Sequence, residues 1–200
     1  MTTAGGIDYV RTPDSCFADL PDWRQPQRVI ELAGIGAMAL DKCYPNPQGK
    51  LQVFCNNMPG KWHTMGVTLA AGGSLRWVRD MLGGAENEVA RWLGKDVYEL
   101  FAAEAAMAEP GSEGLIFLPY LIGERCPHPD PNARGGFIGL TLRHDRRYML
   151  RSVLEGAIFS LKGVTHLIED LGIRVNQIRT SGGGARRRRF RARAWPVPDP

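Results

Sequence analysis

The stretch MLRSVLEGAIFSLKGVTHLIEDLGIRVNQIRTSGGGA, Met149 to Ala185, decides how this chain folds. Its first part carries Met149, Leu150, Val153, Leu154, Ala157, Ile158, Leu161, Val164, Leu167, Ile168 and Leu171 at steps of three and four. That period places them on one face of a helix, predicted from Met149 to Leu171 at about six turns. Gly172 stands where a left-handed residue ends a helix. Gly156 and Gly163 lie inside it, and each glycine costs a helix about 1 kcal/mol relative to alanine. Both are therefore predicted to mark close packing by another element, as architecture and not as a site. Ile173–Val175 and Gln177–Thr180 then predict a short strand that runs into Ser181-Gly182-Gly183-Gly184-Ala185. Helix and strand in alternation imply an α/β domain around a central sheet.

Working upstream, Leu115–Leu118 predicts a strand, and Val97–Met107 a helix stopped by Glu109-Pro110-Gly111. Shorter helices are predicted over Thr68–Leu82, broken or closely packed at Gly72-Gly73, and over Glu86–Trp92. Leu51–Cys55 and Trp62–Val67 read as strands. Val29–Leu40 is small and apolar, and its pattern fits a strand ending in a turn or a weak helix. Residues 1–26 are polar, with Pro13, Pro21 and Pro26, and read as loop.

With 200 residues, 44% hydrophobic and 23% charged, the composition is that of a globular chain. No apolar run reaches the length of a membrane span, and Met1–Tyr9 lacks the features of a secretory signal. The expected location is the cytoplasm. The net charge of +4 is misleading, because residues 186–193 (RRRRFRAR) hold six arginines. Without them 19 basic residues face 21 acidic ones. Nucleic acid is therefore not an expected partner, since no basic folded surface or recognition element is legible. The tail alone would bind polyanions only weakly. Cys16, Cys43, Cys55 and Cys126 lack metal-site spacing and are expected as free thiols.

Two segments carry candidate chemistry. The glycine triplet Gly182-Gly183-Gly184 leaves backbone N–H groups bare for a ligand, yet fits a structural turn equally well. The segment YLIGERCPHPDPNARGGF, Tyr120–Phe137, holds Glu124, Arg125, His128, Asp130 and Arg134. Its carboxylates can hold a metal through water or pair with Arg125 or Arg134, and the favoured reading is an ion-paired structural loop. His63, beside Trp62 in a loop-like context, reads as a polar loop residue. No catalytic residue and no metal-ligand set is assigned.

Several blocks in order resemble one family. Tyr120–His128, Asp130-Pro131 and Ala133-Arg134-Gly135 resemble the YLxGERTPHxDPxARG stretch of xylulokinases. Phe137–Leu142, His144 and Leu150–Gly156 continue the likeness. Upstream, Phe54-Cys55, Pro59–His63 and Met65–Leu69 resemble FCHAVPGxWHxMGVTL. Downstream, Gly182-Gly183-Gly184-Ala185 resembles the GGGA adenosine site. The chain is thus similar to the C-terminal domain of FGGY-family carbohydrate kinases, with xylulokinase as the nearest type. The resemblance implies an actin-like/ribonuclease-H-like ATPase fold, here the second and incomplete domain of a sugar kinase. It implies ATP and Mg²⁺ as cofactors, with Gly182, Gly183, Gly184 and Ala185 at the nucleoside. It implies a ketopentose substrate, engaged only with the missing N-terminal domain, and a full-length parent able to form a homodimer.

The departures define three regions. Residues 1–44 match poorly: the segment bearing the catalytic Asp is missing, and neither Asp8 nor Asp14 has its surroundings. The family's GTSG turn should fall near Ala33–Gly36, where Gly34-Ile35-Gly36 keeps glycines without hydroxyls. Residues 45–185 carry the resemblance, although Asn56 stands where a His is usual and Tyr148 where a polar or acidic residue is usual. Residues 186–200 form an arginine- and proline-rich tail in place of a Trp-containing helix. A truncated or frame-shifted product that binds ATP weakly or not at all and is inactive alone is the expectation. The alternatives are a nucleotide-binding module that needs its other half in trans and a remnant without activity.

Overall fold

The computed structural model describes residues 6–10, 34–175 and 178–181. In chain order these form β1 (Gly6–Val10), β2 (Gly34–Leu40), β3 (Gln52–Cys55), β4 (Trp62–Thr68), α1 (Ala71–Leu82), α2 (Gly84–Leu93) and α3 (Val97–Ala105). A 3-10 turn at Ser112–Gly114 precedes β5 (Ile116–Leu118), β6 (Gly136–Ile138), α4 (Arg146–Glu169) and β7 (Ile178–Ser181). Five strands make one sheet in the order β3-β4-β2-β1-β7, and β5 pairs with β6 in a second, two-stranded sheet. Among the described strands of the larger sheet, only β1 and β2 run parallel.

The expected long helix is α4, 24 residues, or about 36 Å at 1.5 Å per residue. It begins three residues before the first periodic position because the Asp145 side chain accepts the N–H of Arg147 at 2.9 Å. At its far end Gly172 takes φ +78° and donates its N–H to the Glu169 carbonyl at 2.8 Å. Asp96 caps α3 in the same way through Tyr98 N.

Helix α4 is the spine that joins two cores. Its first half packs Leu150, Val153 and Leu154 against Val78 of α1, Phe101 and Ala105 of α3 and Phe117 of β5. Its second half packs Val164 and Ile168 against Met38, Leu40, Leu51, Cys126 and Ile173. The two helix glycines mark close approaches, as expected. A Cβ on Gly156 would lie 2.2 Å from the Phe117 carbonyl oxygen, and one on Gly163 would lie 2.8 Å from Cγ of Pro127.

Two readings are corrected and an open one is resolved. The polar stretch 1–26 contains β1, since backbone pairing with β2 and β7 requires no apolar pattern. Val29–Leu40, open between helix and strand, contains β2 from Gly34 onward. The expected turn at Ala33–Gly36 is strand from Gly34. Glycines stand there because α4 presses on the sheet: a Cβ on Gly34 would meet Ala71 and Leu161, and one on Gly36 would meet Val164. Residues so closely covered cannot bend out as a turn.

Candidate functional site

Strand register brings several chain segments to one end of the larger sheet. Gly34 at the start of β2 pairs with Thr68 at the end of β4. Val10 pairs with Met38 in parallel, so counting back along both strands sets Gly6 level with Gly34. Gly6 in turn pairs with Ser181, the last residue of β7. The end of β7 and the end of β4 therefore share one edge of the sheet, and α1 starts three residues after β4 at that same edge. Gly182, Gly183, Gly184 and Ala185 follow Ser181 directly and lie outside the described residues.

The start of α1 is chemically bare. Its N-cap, Ala70, provides no side-chain hydrogen bond, and the first turn holds no acid. The first intrahelical bond runs from Ser74 N to Ala70 O at 2.8 Å, so the N–H groups of Ala71, Gly72 and Gly73 have no acceptor within the helix. Gly72-Gly73 had read as the middle of a longer helix. They instead form its first turn, half-buried, with the positive end of the helix dipole behind them. With Ala70 in place of a Ser, Thr, Asp or Asn, the sequence offered no cap signal for this start.

Glu124 holds the turn that enters α1. It is 3% exposed, and its Oε1 accepts the N–H groups of Leu69 at 3.0 Å, Arg125 at 2.7 Å and Cys126 at 3.4 Å. Oε2 is buried without a partner. Burial raises the Glu124 pKa, opposed by those backbone N–H groups and by the charge of His128.

The expected pairing of Glu124 or Asp130 with Arg125 or Arg134 is replaced by backbone contacts. Asp130 Oδ1 accepts Asn132 N at 2.7 Å, and Arg134 Nη1 donates to the carbonyls of Pro131 and Ala133. The loop reads as structural, though through these contacts and not through ion pairs. Among the described residues no group of three or more His, Cys, Asp or Glu is placed to hold a metal.

His63 lies in β4, a correction of its loop-like reading. It pairs across the ladder with Phe54, and the two rings stack at 5.1 Å. Partial burial lowers its pKa, which favours the neutral ring. Cys43, Cys55 and Cys126 are free thiols. Burial foremost, then the Glu124 charge, pushes Cys126 up to about 11, which keeps it an inert thiol. Tyr148, noted for its unusual position, donates its hydroxyl to Glu113 at 3.0 Å, beside Arg143 on the same carboxylate.

The model of the "FGGY family of carbohydrate kinases, C-terminal domain" matches residues 36–192. The xylulose kinase of Lactococcus lactis subsp. lactis is 40% identical over 139 residues, 69% of this chain and 26% of that protein. The gluconokinase of Bacillus subtilis is 40% identical over 159 residues, 78% of this chain and 31% of that protein. The crystal structure of gluconate kinase from Lactobacillus acidophilus superposes with a TM-score of 0.70 at 29% identity, covering 82% of this chain and 31% of that one. The chain thus spans about a third or less of the length of these relatives. Equal identity to a xylulose kinase and a gluconokinase broadens the expected likeness from xylulokinases to the family at large. On the ordered match over most of its length and the shared α/β architecture, the chain belongs to the FGGY family of carbohydrate kinases, as the C-terminal domain of that family.

Proposed function

We propose that this chain is the nucleotide-binding lobe of an ATP-dependent sugar kinase, with a ketopentose as the acceptor, and that it is catalytically incompetent alone. The observation that carries the reading is the convergence at one sheet edge. There the strand leading into Gly182-Gly183-Gly184-Ala185 terminates at the same end of the sheet as the uncapped start of α1, with β2 and β1 between β4 and β7. Bare glycine backbone, and N–H groups without an acceptor inside their own helix and with its dipole behind them, are what an anionic, nucleoside-bearing ligand requires.

In this reading Gly182–Ala185 border the nucleoside, and the N–H groups of Ala71, Gly72 and Gly73 supply positive field toward the phosphates. ATP supplies the phosphoryl group, and Mg²⁺ neutralises charge on it when bound. The described residues offer no carboxylate cluster that would hold the metal. The proton acceptor and the sugar pocket belong to a second lobe outside this chain. Phosphoryl transfer depends on positioning donor and acceptor together in a closed site, which one lobe does not enclose.

The test is incubation of the chain with ATP, Mg²⁺ and D-xylulose, and in parallel with gluconate. No sugar phosphate forms in either, while a fluorescent ADP analogue binds. Steady ADP release coupled to sugar phosphate would refute the incompetence, and absence of nucleotide binding would refute the lobe assignment. The acceptor is read from adding an N-terminal lobe in trans, with turnover on xylulose and not gluconate expected.

A further inference from the structure

We propose that Glu124 is a positioning residue for nucleotide binding, whose Oε1 holds the β4–α1 turn and so fixes the start of α1 at the edge where β7 ends. This rests on the nucleotide-lobe reading above.

The argument starts from the rigidity of the segment that carries Glu124. Its backbone closes on Asp130 through two bonds, Glu124 N to Asp130 O at 2.8 Å and Asp130 N to Glu124 O at 2.9 Å. Gly123, at φ +81°, leaves no space for a Cβ, which would lie 2.7 Å from the Pro131 carbonyl oxygen. Cys126 Sγ lies 2.7 Å from the Cβ position of Gly66 in β4, and Pro127 rests on Gly163 of α4. The segment is therefore clamped to both the sheet and the spine helix. From this platform Oε1 reaches Leu69 N, 55 residues away in sequence.

The turn is flanked by the Thr68–Gly34 pair and by Ser74, whose N–H and hydroxyl both donate to the Ala70 carbonyl, and Glu124 holds Leu69 between them. Leu69 precedes Ala70, the N-cap residue that offers no capping side chain. Where a helix usually receives its cap from its own Ser, Thr, Asp or Asn, here a distant carboxylate holds the residue next to the cap. The negative charge of that carboxylate opposes an incoming phosphate. The acceptor oxygen, and not the charge, is thus the useful part. Charged and titratable neighbours of Glu124 are Tyr120, Arg125, Cys126 and His128.

Titration of the full chain with a methylanthraniloyl-labelled ADP tests this on three variants. Glu124→Ala removes the acceptor and weakens binding about tenfold, with faster hydrogen exchange at the Leu69 amide. Glu124→Gln keeps an acceptor oxygen and binds no more weakly than wild type, although both variants lower thermal stability. Gly156→Ala, remote from the turn, lowers stability without changing affinity, which separates positioning from general loosening. Unchanged affinity in Glu124→Ala would overturn the proposal, as would Glu124→Gln binding as weakly as Glu124→Ala. Failure of the wild-type chain to bind defeats the lobe reading and this proposal with it. That outcome is told apart by the wild-type arm alone.

Discussion

Replacing Gly156 by alanine tests whether α4 and β5 are packed backbone to backbone. The new Cβ would sit 2.2 Å from the Phe117 carbonyl oxygen and 3.1 Å from its carbon. A carbon normally stays about 3.3 Å or more from such an oxygen, so helix and strand must separate by roughly 1 Å. The obstacle is main chain and cannot swing aside. The separation also loosens Phe117, Leu150 and Val153, each 2% exposed or less. Overpacking of this kind costs about 3 kcal/mol at the upper end of its usual range. Alanine returns about 1 kcal/mol of helix propensity. The net loss of about 2 kcal/mol corresponds to a fall in melting temperature of roughly 4–8 °C for a domain of this size. Gly84→Ala is the matched control. Gly84 also lies in a helix, its Cβ position meets nothing within 4 Å, and the substitution adds about 0.4–1 kcal/mol. Thermal melts followed by circular dichroism, with urea midpoints, read both. A Gly156→Ala chain melting at or above wild type would refute the packing argument.

Two further outcomes are expected. Glu155 accepts Gly111 N and Ser112 Oγ at 3.0 Å each and pairs with Arg151 at 2.5 Å, with both charged side chains under 15% exposed. Glu155→Ala frees the left-handed pair Ser112 and Glu113 and costs about 3 kcal/mol in urea unfolding, with faster exchange at the Gly111 amide. Glu86 bonds Arg146 at 2.5 Å, which holds its carboxyl below the usual glutamate range against a weaker opposing effect of burial. Its folded pKa is depressed, so the stability it contributes is present above the unfolded pKa. That stability is lost as pH falls through the folded value. Urea midpoints measured from pH 7 to pH 3 should fall less steeply in Glu86→Gln, and an unchanged acid slope would remove the pair from that account.

What the sequence by itself determined is what local repetition and ordered motifs encode. The three- and four-residue steps of Leu150, Val153, Leu154, Ala157, Leu161 and Val164 specified α4, because a helix places such positions on one face. Gly156 and Gly163 announced close packing, because nothing else offsets their cost in a helix. The ordered blocks from Phe54 to Gly184 pointed to the family. The partners of those glycines were a matter for tertiary structure alone, which supplied the Phe117 carbonyl and Pro127. It also decided that Gly34 and Gly36 serve helix-on-sheet contact, that His63 stacks on Phe54 in a strand, and that Glu124 reaches Leu69. Whether Arg125 and Arg134 would pair with carboxylates was likewise beyond the sequence, and among the described residues they do not. A hydrogen bond between residues 55 apart leaves no local trace. Strand register, which set the last residues of β4 and β7 at the same end of the sheet as the start of α1, is a property of the assembled sheet and not of any one strand.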